Sequence, residues 1–306
     1  ILRQASWNLY LQAIKQFWHA GEIREWEKDR NDFNNKLSPD LQHCVKLILG
    51  FFAAGDQFVN ENIVESIREL FPVIEVRYFY DFQIAMENIH AQTYSMLVDN
   101  LITDSVERDM ILRAFESMEC VRAMVEWLQS CKQDIIDGRV ARGLLKQACV
   151  EGIFFTSCFC VIYWLGSRGL MPALVQSNSL IARHEDLHTR WGVHMITDYV
   201  IARPDTVEYY EIVGEAVIIA DKFAHDMLPK GVPELTAEMM TDYIRVVANC
   251  LLGRAGIPAL YPGVRQPFGF MDQINMKLRE NFFEHPTTVY EQGAPDKSSI
   301  DYNSEF

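Results

Sequence analysis

The sequence predicts an all-α protein with a helical bundle at its centre. The segments between helix-breaking residues are long and suit helices, and the alternating patterns typical of β-strands are nearly absent. No short period repeats along the chain, which excludes a solenoid. The 306 residues, 49% of them hydrophobic, provide ample material for a core.

Seven segments are predicted to form the helices, and capping residues mark several of their ends. Ser38 is the expected N-cap of the first, with Pro39 at the first helical position. Asp104 and Ser105 are capping candidates for the third, and Pro204 closes the fifth. In chain order, the predicted segments are residues 38–71, 74–102, 104–131, 141–166, 172–202, 205–228 and 236–254.

One apolar run, residues 150–166, has the sequence VEGIFFTSCFCVIYWLG. It is shorter than the roughly 20 residues that a membrane-spanning helix needs, and it contains Glu151. The run is therefore predicted to be a helix buried on all sides within the protein, and no membrane association is expected.

Charge and cysteine usage narrow the possible partners and the expected location. The formal net charge of −14 argues against nucleic-acid binding, which needs clustered lysine and arginine. The seven cysteines lie scattered in apolar surroundings without a C-x-x-C pair, which indicates reduced, mostly buried thiols. A cytoplasmic protein is expected.

The end of the chain differs in composition from the rest. Residues 287–306 are polar and acidic, with few residues that could join a core. The predicted organisation is one helical domain over residues 1–285 and a flexible acidic tail over residues 286–306, which becomes ordered when a partner binds it.

Two Glu-x-x-His motifs lie within the predicted helices, Glu87 to His90 and Glu185 to His188. Because positions three apart share one face of a helix, each motif can direct a carboxylate and an imidazole at one metal ion. Either motif alone is a weak signal, since a surface contact between neighbouring turns has the same spacing.

Two further carboxylates strengthen the prediction that these motifs bind metal. Asp56 and Glu151, like Glu87 and Glu185, lie in strongly apolar parts of predicted helices. A buried carboxylate needs a cation, a hydrogen-bond donor or a proton. Four carboxylates and two imidazoles from four helices nearly reproduce the ligands of ferritin-like di-iron proteins, with Asp56 in the place of a glutamate. Such ligands suit iron or manganese better than tetrahedral zinc.

The same region contains the zinc-hydrolase pattern His184-Glu185-x-x-His188, followed by His194. A protease with three histidine ligands needs glycine three residues after the second, where this chain has Trp191. A zinc site with two histidines and a later glutamate stays open, but it leaves Asp56, Glu87 and Glu151 unexplained. His194 is expected to be a structural or surface histidine.

Five stretches of the chain resemble the small, radical-generating subunit of class I ribonucleotide reductase, closest to its eukaryotic and viral branch. The resemblance covers nearly the whole length, and its motifs occur in order and at the right spacing. The stretches are FFAAGDQFVNENIVE, YDFQIAMENIHAQTYS, VEGIFF, GLMPALVQSNSLIARHEDLH and PFGFMDQINMKLRENFFE.

The resemblance implies a ferritin-like bundle with additional helices and assigns roles to particular residues. Tyr94 matches the tyrosine that holds the stable radical, and Phe155, Phe159 and Ile181 match the apolar pocket around it. The implied metal ligands are Asp56, Glu87, His90, Glu151, Glu185 and His188.

The resemblance also implies a path for electrons and for the radical. Trp18 matches the tryptophan that passes an electron inward, and Tyr290 matches the tail tyrosine that relays the radical to the large subunit. The residues ending at Phe306 resemble the family's docking peptide. His184 departs from the pattern, because the family usually has aspartate there, bridging the tryptophan and the metal-bound histidine.

The implied function is that of a ribonucleoside-diphosphate reductase small subunit. Two iron ions per chain, with manganese as the other option, would reduce dioxygen and leave a radical on Tyr94. A homodimer acting with a large subunit is implied. The alternatives are a di-metal oxidase of the same fold that acts on a bound organic substrate, iron storage, and, remotely, the zinc hydrolase.

Overall fold

The computed structural model describes residues 1–271, and every regular element within that range is helical. The all-α prediction is confirmed. The helices are α1 Gln4–Lys15, α2 Trp26–Asn35, α3 Pro39–Asn62, α4 Ile74–Leu101, α5 Ser105–Leu112, α6 Ala114–Ser117, α7 Glu119–Ile136, α8 Val140–Cys149, α9 Thr156–Ser167, α10 Pro172–Tyr199, α11 Thr206–Met227 and α12 Ala237–Arg254.

The predicted helix starts agree closely with these bounds. Ser38 caps α3, its hydroxyl accepting a hydrogen bond from the Leu41 backbone N–H, and Pro39 follows at the first helical position. The Asp104 carboxylate caps α5 by accepting from the Glu107 N–H. Helices α1 and α2 precede the first predicted segment and were not expected from the sequence.

The single helix predicted over residues 104–131 is wrong, because the structure divides this segment into α5, α6 and most of α7. Non-helical backbone at Arg113 and at Met118 separates the three pieces. The break seats Ala114 directly against Gly50 of α3, where a β-carbon on the glycine would lie 2.7 Å from that of Ala114. This contact between distant parts of the chain leaves no periodic signal in the sequence.

The apolar run forms a buried continuation of α8. Val140–Ser167 is long and apolar enough to cross a membrane by length and composition, but 94% of its most apolar window is buried inside the protein. The prediction of a helix enclosed on all sides is confirmed. A π-helical turn, Val150–Phe155, separates α8 from α9, and Glu151 lies in this turn.

Packing among the long helices places their buried faces around one core. Helix α3 packs on α4 and α7, α8 packs on α7 and α10, and the π-helical turn packs on α10. Asp56 lies on α3, Glu87 and His90 on α4, and Glu185 and His188 on α10, so the candidate ligands all face the interior of this bundle.

Two buried aspartates of α2 fix the start of α10. The Asp29 carboxylate accepts hydrogen bonds from the backbone N–H groups of Ala173 and Leu174, both at 2.8 Å. Asp32 accepts from the N–H of Met171 at 3.0 Å. Burial raises the pKa of Asp29 to about 6, although the two backbone hydrogen bonds oppose the shift. Helix α10 is thus capped by side chains from another helix.

The Asp29→Ala variant is expected to lower the free energy of unfolding by about 2 kcal/mol, because two buried backbone N–H groups lose their acceptors. Chemical denaturation followed by circular dichroism measures this. Glu27→Ala, an exposed position on the same helix, is the control and should change stability by less than about 0.5 kcal/mol. Equal stability of the two variants would contradict the capping role.

Candidate metal centre

The structure brings all six predicted ligand side chains together in the core. Each is at most 4% exposed, and together they form two groups whose candidate ligand atoms lie within 4.8 Å of one another. One group consists of Asp56, Glu87, His90 and Glu185, and the other of Glu87, Glu151, Glu185 and His188.

The two groups overlap at Glu87 and Glu185, which belong to both. Glu87 places one oxygen 2.9 Å from Nδ1 of His90 and the other 3.0 Å from Nδ1 of His188. Glu185 lies 3.2 Å and 3.6 Å from the same two nitrogens. Asp56 therefore belongs to the His90 end only, and Glu151 to the His188 end only.

Most of the converging atoms have no hydrogen-bond partner outside the cluster in the part of the chain that the structure describes. Among residues 1–271, Gln83 is the one side chain outside the cluster that donates to its carboxylates, to Glu87 at 3.3 Å and to Glu151 at 3.0 Å. Buried acceptors without donors are costly, whereas metal cations would satisfy them. The unpartnered atoms are Asp56 Oδ2, Glu87 Oε2, His90 Nδ1, Glu185 Oε1 and Oε2, and His188 Nδ1.

The pKa shifts of the cluster also support a metal centre. Burial raises the pKa of Asp56 and of Glu151 well above the usual range of a carboxyl group. Burial opposes ionisation of Glu87 too, but the His188 and His90 imidazoles outweigh it and hold the pKa of Glu87 well below its usual range. Burial lowers the pKa of His90, yet the carboxylates raise it to about 10. Protons thus balance the cluster without a metal, and metal ions binding there would replace them.

His184 takes no place in this cluster, because both of its ring nitrogens are engaged elsewhere. Its Nδ1 lies 2.9 Å from Nε2 of His90, and its Nε2 lies 2.9 Å from the backbone oxygen of Gln16. Burial and the neighbouring imidazoles hold the pKa of His184 well below its usual range. The zinc-hydrolase alternative, which needs His184 as a ligand, is therefore wrong.

His194 lies apart from the cluster, as expected for a structural histidine. Its Nε2 is 2.9 Å from the Ser6 hydroxyl, and its Nδ1 is 3.4 Å from the Asp198 carboxylate. These contacts connect α10 to α1 and leave no role for His194 as a third zinc ligand.

Tyr94 lies one turn beyond His90 and is completely buried. Its hydroxyl has no hydrogen-bond partner among the described residues. Burial, and after it the charge of Asp56, raises the pKa of Tyr94 well above that of an exposed tyrosine. The phenol is therefore held neutral in an apolar setting beside the carboxylate cluster.

Phe52 contacts Tyr94 directly and was not predicted from the sequence as part of the site. The two ring centroids are 4.8 Å apart, and Phe52 also contacts Phe155 at 5.3 Å and Phe159 at 5.4 Å. Ile181 is buried as well. The available signal was spacing, because Phe52 lies four residues before Asp56 and shares its face of α3.

Trp18 is buried beside the His90 end of the cluster. Its ring stacks on the His90 ring with centroids 6.1 Å apart and an angle of 17° between the planes. The indole N–H of Trp18 has no acceptor among the described residues. The predicted relay residue Tyr290 and the tail that ends at Phe306 lie outside the described residues.

A small crevice adjoins the other end of the cluster. Tyr80, Gln83, Glu151, His188 and Trp191 contribute to its walls. Its cavity volume is about 10 Å³, which is room for one water molecule.

Comparison with known proteins identifies similar sequences. Residues 1–267 match the family described as ribonucleotide reductase, small chain. The sequence is 39% identical over 302 residues to a ribonucleoside-diphosphate reductase small chain of Arabidopsis thaliana, covering 98% of this protein and 88% of the plant protein. It is 38% identical over 286 residues to the corresponding small chain of vaccinia virus strain Ankara, covering 94% and 88%.

Solved structures show the same fold. The ribonucleotide reductase Rnr4 homodimer of Saccharomyces cerevisiae matches with a TM-score of 0.76 and 27% identity, over 92% of this chain and 88% of that one. The ribonucleotide reductase R2 subunit of Clostridium botulinum matches with a TM-score of 0.81 and 21% identity, over 89% and 88%.

Proposed function

This chain belongs to the ribonucleotide reductase small-chain family, and from that premise we propose that it stores a radical on Tyr94 beside a dinuclear metal centre. The observation that carries the proposal is the overlap of two buried groups of unpartnered ligand atoms next to a buried, unpartnered tyrosine hydroxyl. The chain acts as the small subunit of ribonucleoside-diphosphate reductase.

The proposed ligands divide by position. Glu87 and Glu185 would contact both metal ions, because each belongs to both groups. Asp56 and His90 would complete one site, and Glu151 and His188 the other. Bound iron or manganese would supply two of the four electrons that dioxygen reduction requires, and the other two would come from Tyr94 and from an external donor through Trp18. The oxygen-rich ligands fit either metal, and iron is the one that we propose.

Tyr94 would give up one electron together with the proton on its hydroxyl oxygen. The oxygen of the resulting neutral radical would have no hydrogen-bond donor beside it among the described residues, and the surrounding apolar rings would keep water and reductants away. Phe52, Phe155 and Phe159 form an aromatic layer at Tyr94, and with Ile181 they are the residues proposed to protect the radical.

The remaining steps connect the buried site with the partner subunit. Trp18, stacked on His90, is proposed to pass the external electron inward. Tyr290 and the acidic tail over residues 286–306, which ends at Phe306, are proposed to carry the radical to the large subunit and to dock it. We further propose a homodimer that acts in the cytoplasm.

The oxidase alternative has less support. An oxidase would need space at the metal ions for an organic substrate, whereas the crevice beside Glu151 and His188 holds about one water molecule. A cavity of that size can hold a water molecule but not an organic substrate.

Reconstitution of the full chain tests the proposal. Addition of ferrous iron and oxygen should give two irons per chain and a sharp organic-radical signal in electron paramagnetic resonance. Reduction of ribonucleoside diphosphates should then require both subunits. A variant truncated after residue 285 is the matched control, which should keep the metal and the radical but lose activity with the large subunit. One zinc per chain, or a metal-loaded chain without a radical, would refute the proposal.

A further inference from the structure

The two contacts of His184 determine which of its nitrogens carries the proton. A backbone carbonyl oxygen can only accept, so the contact of 2.9 Å between His184 Nε2 and the Gln16 oxygen requires a hydrogen on Nε2. In a neutral imidazole the other nitrogen is then an acceptor. Nδ1 of His184 therefore presents a lone pair to His90.

The acceptor on His184 also determines which nitrogen of His90 carries a proton. Nε2 of His90 lies 2.9 Å from Nδ1 of His184 and must therefore donate a hydrogen to it. The hydrogen on Nε2 leaves Nδ1 of His90 as the nitrogen available to a metal ion, and Nδ1 is the atom that lies within 3.8 Å of Glu87, Glu185 and Asp56. The opposite direction of donation would put the His90 proton on Nδ1, in the position that a metal must occupy.

We propose that His184 is a positioning residue that holds His90 in the tautomer whose Nδ1 binds metal. This inference rests on the proposed function, because it takes His90 as a ligand. His184 acts through His90 and has no nitrogen left for the metal itself.

The second contact anchors this arrangement to the segment that carries Trp18. Gln16 follows the last turn of α1, two residues before Trp18. His184 is thus fixed at one end by the backbone and at the other by His90, while Trp18 stacks on the His90 ring. A neutral imidazole accepts only one hydrogen bond, and His90 takes it, so the indole N–H of Trp18 remains without an acceptor.

Two substitutions test the two hydrogen bonds of His184 one at a time. His184→Asn keeps an acceptor oxygen where Nδ1 stands but cannot reach Gln16. His184→Gln reaches Gln16 with its amide but removes the acceptor for His90. Loss of the partner of a ligating histidine typically costs about 10- to 100-fold in metal affinity. His184→Gln should show a loss of that size, while His184→Asn should stay within about threefold of the wild type.

Titration of the full chain with Mn²⁺, with free Mn²⁺ read by electron paramagnetic resonance, gives these affinities. Asp186→Asn, an exposed position two residues along α10, is the matched control and should bind as the wild type does. Equal affinities of the Asn and Gln variants, whether both are unchanged or both weakened, would overturn the role as acceptor for His90.

A second measurement on the metal-free protein distinguishes this inference from the proposed function. Nitrogen-15 chemical shifts of labelled histidine should show a protonated Nε2 and an unprotonated Nδ1 on His184, with a protonated Nε2 on His90. The reverse pattern overturns the inference even where the wild type binds two Mn²⁺ ions. A wild type that binds no Mn²⁺ refutes the proposed metal centre, while the shifts still report the tautomers.

Discussion

Replacement of Tyr94 by phenylalanine is expected to abolish the organic-radical signal while two metal ions remain bound per chain. The substitution removes only the hydroxyl group, from which the proposed radical loses its proton. Because that hydroxyl has no hydrogen-bond partner among the described residues, its removal leaves no buried group unsatisfied. The free energy of unfolding should change by less than about 1 kcal/mol. Electron paramagnetic resonance, metal analysis and denaturation measure the three quantities.

Tyr80→Phe provides the matched control for this experiment. Tyr80 is also buried on α4 and lies in the wall of the crevice beside the metal centre. Its variant loses a buried hydroxyl from the same helix and should keep the radical signal. A radical signal that persists in Tyr94→Phe with unchanged line shape would mean that another residue carries the radical.

The helices of the bundle were predictable because their signals are local. Ser38 with Pro39 marks the start of α3, and Asp104 marks the start of α5, since capping depends on a few adjacent residues. The two Glu-x-x-His motifs were equally readable, because a spacing of three places both side chains on one helical face. These motifs gave Glu87, His90, Glu185 and His188, whereas Asp56 and Glu151 were predicted from their apolar surroundings and from the family resemblance.

Features that depend on contacts between distant segments were not predictable. The break between α5 and α7 places Ala114 against Gly50, and the caps of α10 come from Asp29 and Asp32 on α2. Phe52 was missed because an aromatic residue in a core helix is ordinary until Tyr94 is seen beside it.

His184 illustrates the same limit at the centre of the site. The sequence shows an unusual histidine before a ligand, but its effect depends on what each ring nitrogen meets. The Gln16 carbonyl lies 168 positions away along the chain, and His90 lies 94 positions away. Only the folded arrangement reveals that an acceptor is on one side and a donor on the other.

The Glu185→Gln variant is expected to lose both metal ions, because Glu185 belongs to both ligand groups. Asp56→Asn removes a charge from one group only and should retain one ion at the end formed with Glu151 and His188. The metal affinity of Glu185→Gln should fall by at least about 100-fold. Loss of a residue that only supports a ligand can already cost that much, and Glu185 is itself a proposed ligand. Metal analysis after gel filtration should therefore give fewer than one ion per chain for the first variant and about one for the second.

Denaturation of the metal-free proteins distinguishes the loss of a metal ligand from the loss of the fold. Glutamine keeps the size and shape of the glutamate side chain, so metal-free Glu185→Gln should still unfold in a single cooperative transition, as the metal-free wild type does. Asp186→Asn, whose exposed carboxylate pairs with Arg190 and Arg254, is the control and should retain both ions. Two ions bound to Glu185→Gln, or none to Asp56→Asn, would contradict the assignment of Glu185 as a shared ligand.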